Sequence, residues 1–259
     1  MRDYSDITIE SDDKGVRVIR LNRPEAHNAL RTHLLAELAD ALSAAQQNDA
    51  IGCIVITGSE TLFAAGADIK EMAQLDAVAL WKDQRPLHWK SIREFTKPVV
   101  AAVNGYCLGG GFELAMHADI LIAGSNAQFG QPEINLGIIP GAGGTQRLVR
   151  TVGKSLAMKM VLSGEFINAQ QALAAGIAAE ITQPENTLRC AIQLAQKIAC
   201  KSPIALRLAK ELVLKSYETT LEQGLDAERK SFVFLAATDD RNEGISAFLE
   251  KREPRFTGQ

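Results

Sequence analysis

Apolar and polar positions alternate with two different periods along this chain. From residue 7 to residue 21 two β-rich runs flank Ser11-Asp12-Asp13-Lys14-Gly15, and Val16-Arg17-Val18 alternates as a half-buried strand does, which predicts a hairpin. Leu30, Leu34, Leu38 and Leu42 then recur at helical spacing, with Asn28 placed to cap the helix they predict. Residues 53–58, 98–103 and 119–123 are short apolar runs bounded by Gly, Asn or Pro, the pattern of buried strands. Helical patterns separate them, so the predicted fold class is α/β.

Beyond Gly153 the character changes. Residues 154–162, 169–175, 187–199, 204–217, 221–237 and 244–251 all read as helices, and 177–182 is the one strand-like run among them. A boundary at Ser202-Pro203 therefore divides a mixed α/β body, residues 1–202, from a helical C-terminal region, residues 203–259. Its Leu206, Leu212, Leu214, Leu221, Leu225, Phe232 and Phe234 make this region too apolar for a solvated appendage, which predicts a homo-oligomer.

Composition narrows the function classes. At 259 residues, with 46% hydrophobic and 23% charged positions, the chain can bury a conventional core without a disulfide or metal staple. Twenty-eight basic residues against thirty-one acidic ones give a net charge of −3, which argues against nucleic-acid binding. Cys53, Cys107, Cys190 and Cys200 have neither metal-ligand nor redox-pair spacing, so no metal site is expected and a reduced compartment is. The acidic start has no apolar signal segment, and the most apolar stretch is cut at Asn104-Gly105 before it can span a membrane, so the expected location is the cytoplasm.

The chemistry concentrates in two glycine-rich segments, 104–114 and 140–146. Neither contains the Gly-Lys-Ser/Thr of a phosphate-binding loop, and Leu114 and Gln146 stand where a dinucleotide fingerprint needs its third glycine. The first segment runs from a buried strand into a helix, so the amides of residues 109–111 form a helix N-terminus suited to an anion or a developing oxyanion. Glu113 falls in the first turn, where an acid also simply complements the helix dipole. A second acid, Glu133, sits in the otherwise apolar stretch 129–137, and two carboxylates in one apolar cleft can hold different protonation states and act as base and acid. Spacing alone does not show that they meet. After the strand ending at Gly58, residues 63–72 are small enough to leave backbone exposed, and Asp68 can cap the helix that follows.

These pieces together resemble the crotonase superfamily, and within it the enoyl-CoA hydratases, over nearly the whole chain. The matching parts are Leu21-Asn22-Arg23-Pro24 with Asn28-Ala29-Leu30, then 64–72, Lys97-Pro98 with 101–105, 108–114, 129–137, 140–148 and 239–252. The resemblance implies a spiral of β-β-α turns with a helical C-terminal region, trimers paired into a hexamer, and an acyl-coenzyme A thioester as substrate with no separate cofactor. It assigns the backbone N–H groups of Ala67 and Gly110 to the thioester oxygen. Glu113 would deprotonate a water that attacks C3, and Glu133 would supply the proton to C2. Ala65, Asp68, Ile69 and Lys70 would line the coenzyme A channel, with Phe248 and Lys251 near its nucleotide end. Glu25 departs from a lysine that some hydratases carry near the coenzyme A phosphates, and His27 from a frequent leucine.

Residues 83–89, 235–241 and 255–258 resemble bacterial hydratases of phenylacetate degradation whose substrate, 2,3-didehydroadipyl-CoA, ends in a carboxylate; Arg85, or His88, is the candidate partner for it and a solvated arginine the plain alternative. His117, Cys107, Trp81 and Trp89 read as structural, and the run 250–253 as a solvated helix end. The expected activity is hydration of a trans-2-enoyl-CoA, in fatty-acid or aromatic degradation. The alternatives are a Δ3-Δ2 enoyl-CoA isomerase, for which one glutamate suffices, and a catalytically idle binding protein of the same fold.

Overall fold

Apolar side chains on both faces of Cys53–Thr57 and Val99–Val103 leave these segments no solvent face, and the computed structural model, which describes residues 3–259, sets them side by side inside a sheet. In chain order, the hairpin strands β1 (Ile7–Ser11) and β2 (Val16–Leu21) precede helix α1 (Thr32–Gln46). Strands β3 (Cys53–Thr57) and β4 (Leu62–Ala64) lead to three short helices, α2 (Ile69–Met72), α3 (Ala77–Trp81) and α4 (Arg85–Arg93). Then come β5 (Val99–Val103), β6 (Tyr106–Leu108), α5 (Gly110–Ala115), β7 (Ile120–Gly124) and β8 (Gln128–Gly130). They are followed by α6 (Gly144–Ser163), β9 (Ile167–Asn168), α7 (Ala169–Ala174), β10 (Glu180–Thr182) and α8 (Thr187–Ala199). Helices α9 (Pro203–Lys215), α10 (Leu221–Leu235) and α11 (Asp239–Glu250) close the chain.

The strands form a six-stranded sheet, β1-β2-β3-β5-β7-β10, and a four-stranded one, β4-β6-β8-β9. The chain visits them in turn, β3 then β4, β5 then β6, β7 then β8, with a helical segment after each pair. That is the expected β-β-α spiral, and it has a direct consequence. Because β4, β6 and β8 are parallel neighbours, the segments leaving their ends, at residues 65–68, 109–113 and 131–136, emerge side by side.

Leu34, Leu38 and Leu42, at 0–2% exposure, turn one face of α1 onto the large sheet, where each buried leucine contributes about 1.5–3 kcal/mol. Helix α8 covers the opposite face through Ala191 and Ala195, packed on Val55, Val100 and Ile122. Lys97 is buried, and its Nζ donates to the carbonyls of Ala45, Asn48 and Ile51 at 2.8 Å each, satisfying the end of α1 and the turn after it. Lys210 of α9 donates to the Lys97 carbonyl at 2.8 Å and pairs with Asp119 at 2.9 Å, which ties the first C-terminal helix to the body. At the far end Asp240, 2% exposed, accepts from the amide of Thr257 at 2.7 Å, so the last residues fold back onto the start of α11.

Several expectations are revised. Asn28 does not cap α1; the N-cap is Arg31 with no side-chain bond. Asn28 instead accepts from the Arg23 amide at 2.8 Å and donates to the Phe63 carbonyl at 3.0 Å, joining the loop to β4. Leu30 precedes the helix and bridges Ala67. Helix α6 begins ten residues before the predicted 154, broken at Gly153, whose φ of 76° leaves the helical region. Helix α5 ends at Ala115, and the strand predicted over 177–182 is only Glu180–Thr182.

Candidate active site

The segments that leave β4 and β6 approach each other closely: a Cβ built on Gly110 would stand 3.4 Å from the Ala67 nitrogen. The neighbouring amides are occupied. Ala65 donates to the His27 carbonyl at 3.0 Å, Asp68 to that of Leu30 at 3.2 Å, and Gly109 to that of Gly130 at 2.9 Å. Of the amides at residues 109–111, that of Gly109 is therefore spent on sheet pairing. The N–H groups of Ala67 and Gly110 have no protein acceptor among the described residues, and they belong to adjacent segments. Two free donors on neighbouring backbone segments, kept apart from the sheet's own pairing, are chemically suited to an oxygen acceptor.

Glu113, in the first turn of α5, is 3% exposed. Its Oε1 accepts from the amides of Ala142 and Gly144, each at 2.7 Å, where the chain enters α6. Burial raises its pKa, and the amides of Gly144, Ala142 and Gly141 oppose the rise by stabilising the anion. Glu133 lies on the one-turn helix Pro132–Leu136 after β8, where Pro132 fixes the start and Gly137, at φ 71°, the end. Burial, with the Glu113 charge adding to it, pushes its pKa up to about 7. The two acids thus differ in environment: the more deeply buried Glu113 accepts two backbone amides, whereas Glu133 is half-buried beside the Glu113 charge. That difference favours a charged Glu113 and a protonated Glu133 near neutrality.

A residue that the sequence reading passed over stands next to them. Gln131 is 0% exposed, and with its NH₂ turned toward Glu133 it donates to both carboxylate oxygens at 3.1 Å. The available signal was its place as a polar side chain just before Pro132 in an apolar stretch.

Ala65, Ile69 and Lys70 are exposed along the rim beside Ala67. Asp68 is half-buried and already engaged: it caps α2 through the Glu71 amide and pairs with Arg23 at 3.1 Å. Phe248, 82% exposed, and Lys251, left-handed at φ 55° after α11, face solvent in the protomer rather than the cleft. The Glu25 side chain is 71% exposed and lies 3.9 Å from the Arg23 guanidinium. Arg85 pairs through Nε with Asp83, both about nine-tenths buried, so its charge is already balanced. The imidazole of His117 meets the Glu113 carbonyl at 2.8 Å and packs on Trp89; burial, with Arg147 nearby, pushes its pKa down to about 4, so the ring is neutral. Burial lifts the Cys107 thiol well above its usual range. Trp81 is 90% exposed and belongs to no core.

An α/β spiral whose small sheet delivers two free amides, a buried glutamate and a half-buried one to one edge defines a crotonase-type enzyme scaffold. Comparison with known proteins agrees over nearly the whole length. The family profile described as enoyl-CoA hydratase/isomerase matches residues 11–259, and the chain belongs to that family. It is 54% identical to the 2,3-dehydroadipyl-CoA hydratase of Escherichia coli K12 over 97% of this chain and 98% of that one. It is 52% identical to the mitochondrial enoyl-CoA hydratase of Pongo abelii, covering 94% of this chain and 84% of that one. The crystal structure of an enoyl-CoA hydratase from Bacillus anthracis superposes with a TM-score of 0.94 at 36% identity, covering 98% and 100% of the two chains.

Proposed function

We propose that this protein is an enoyl-CoA hydratase that adds water reversibly to the C2–C3 double bond of a trans-2-enoyl-CoA. The observation that carries the reading is the pair Glu113 and Glu133 in contrasting surroundings beside the free amides of Ala67 and Gly110. The thioester oxygen accepts from both amides. Anionic Glu113 takes a proton from a water whose oxygen bonds to C3, and the electron pair of the double bond moves toward the thioester oxygen. Protonated Glu133 then delivers its proton to C2, which leaves a 3-hydroxyacyl-CoA, a protonated Glu113 and an anionic Glu133. Proton exchange with solvent restores the starting state. Oriented donors for the developing oxyanion contribute several kcal/mol to such a step. Isomerisation of a Δ3 double bond needs one acid that moves a proton between carbons, and the separate donor cradle on Glu113 favours hydration. An idle binding protein has no use for a carboxylic acid poised near neutrality.

Coenzyme A in this reading follows the exposed rim of Ala65, Ile69 and Lys70. Phe248 and Lys251 reach its nucleotide end through assembly of copies, since both face solvent in the protomer. Leu221, Leu225, Phe232 and Phe234, 54–78% exposed, support residues 203–259 as an oligomerisation region in a hexamer of paired trimers. The location proposed is the cytoplasm, and among the described residues no helix is long and apolar enough to cross a membrane. The high identity to a 2,3-dehydroadipyl-CoA hydratase supports a dicarboxylic acyl-CoA as one substrate, in the degradation of aromatic compounds. Loss of the conjugated enoyl-thioester absorbance of crotonyl-CoA and of 2,3-dehydroadipyl-CoA tests the reading. A protein that binds both and hydrates neither overturns it.

A further inference from the structure

Residues 65–68 are aligned against residues 27–30. Leu30 donates to the Gly66 carbonyl at 2.7 Å and accepts from the Asp68 amide at 3.2 Å, so Leu30 and Ala67 form a parallel bridge in which the N–H and C=O of Ala67 itself point away from Leu30, on the side where its nitrogen lies near Gly110. The direction of the Ala67 N–H therefore depends on the register of this bridge. Ala67 has only a methyl group and cannot hold the register itself.

Arg23 holds both sides of it. Its Nη1 donates to the carbonyl of Ala29, the residue before Leu30, while Nη1 and Nη2 each lie 3.1 Å from Oδ2 of Asp68, the residue after Ala67. The other carboxylate oxygen of Asp68 accepts from the Glu71 amide at 3.4 Å and starts α2. Both side chains are largely buried, at 9% and 16% exposure. Burial raises the Asp68 pKa, but the Arg23 hydrogen bond and the Glu71 amide outweigh it and hold the carboxyl below its usual range, so Asp68 stays ionised near neutrality. Without the arginine, Asp68 loses both Nη contacts and is free to move, whereas Arg23 without Asp68 still has the Asp6 carboxylate 3.8 Å from its Nε.

We propose that Arg23 is a positioning residue for catalysis: by clamping Asp68 to the Ala29 carbonyl, it fixes the Ala67 N–H that receives the thioester oxygen. The inference rests on the hydratase reading above. Neither side chain needs to touch the reacting atoms. An arginine is required because its planar fork reaches a carbonyl and a carboxylate together, whereas a lysine is a single point donor that satisfies one of them.

The test uses Arg23→Lys and the near-isosteric Asp68→Asn, each checked for native circular dichroism and oligomeric state. Two quantities are measured: the kinetics with crotonyl-CoA, and the absorption shift of a bound conjugated dienoyl-CoA, which moves to longer wavelength as its thioester carbonyl is polarised. Arg23→Lys is expected to lower kcat at least about tenfold with KM changed less than about threefold, and to shrink the spectral shift. Asp68→Asn moves both readouts in the same direction, and the double variant is no worse than the weaker single one. A natively folded variant that keeps the full spectral shift overturns the clamp, whether or not kcat has fallen. Should the unaltered protein fail to hydrate crotonyl-CoA, the hydratase reading falls alone, because the spectral shift of bound ligand still reads the clamp.

Discussion

The carboxyl group of Glu133 lies against the bare α-carbon of Gly109: a Cβ built there would stand 2.8 Å from Glu133 Oε1. Gly109 also has φ 49° and ψ −127°, a conformation that L side chains rarely adopt. The same glycine thus supplies the turn from β6 into α5 and the space for the acid arriving from β8. Gly109→Ala is expected to destabilise the protein by about 1–3 kcal/mol through backbone strain, and to lower kcat at least about tenfold by displacing Glu133. Thermal unfolding and crotonyl-CoA kinetics check the two effects separately.

In the proposed mechanism Glu113 and Glu133 act on one substrate as a unit, so each proton transfer depends on the other. Glu113→Gln and Glu133→Gln are each expected to lower kcat by at least about 10²-fold. The double variant should lose far less than the product of the single losses, while coenzyme A binding survives. A single variant with near-normal hydration removes that residue from the mechanism.

How much of this was legible beforehand varies with the range of the contacts involved. Helix α8 was read to the residue, 187–199, because its burial pattern is local and repeats with the helical period. The small sheet has no local pattern of its own and enters only through the β-β-α spiral that the family resemblance implies. Strands β4, β6 and β8 have three residues each, too few to show a period, and their pairing joins residues far apart in the chain. The glutamates were visible as acids in glycine-rich or apolar surroundings, yet their meeting depends on the β6–β8 pairing and could not be read from spacing. Asn28 reads as a cap because cap chemistry and loop-to-strand bonding call for the same residue type; its bonds to the Arg23 amide and the Phe63 carbonyl decide between them.

The raised pKa of Glu133 makes stability depend on pH. The folded state favours its protonated form, so the stabilisation is fully present below the usual value of 4.5 and is lost as pH rises through about 7. Glu113, also raised, acts in the same sense. Glu133→Gln has no such loss. Relative to the unaltered protein its unfolding free energy should therefore gain between pH 4.5 and 7 and level off above, by roughly 1 kcal/mol once screening by solvent is allowed for. The kcat/KM for hydration should fall above pH about 7 as Glu133 loses its proton. A difference that does not change between pH 4.5 and 7 would show that the fold does not raise the Glu133 pKa.

The acyl end offers the sharpest test of substrate class. Arg85 is the cation that the sequence reading matched to a distal carboxylate, but Asp83 holds its Nε and also accepts from its backbone amide at 2.9 Å. A carboxylate arriving at Arg85 therefore meets a balanced pair and gains less than it would from a bare guanidinium. Two substitutions separate the cases. If Arg85 meets the substrate through its remaining N–H groups, Arg85→Ala should cost about 1.5–3 kcal/mol in kcat/KM for 2,3-dehydroadipyl-CoA and little for crotonyl-CoA. Asp83→Asn, which leaves the arginine unbalanced, should then raise kcat/KM for the dicarboxylic substrate alone, by several-fold at low ionic strength, with the gain shrinking as salt is added. Equal effects on both substrates would mean that the pair only braces the start of α4. The distal carboxylate would then be left in water, and selectivity between the two acyl chains would rest on pocket shape.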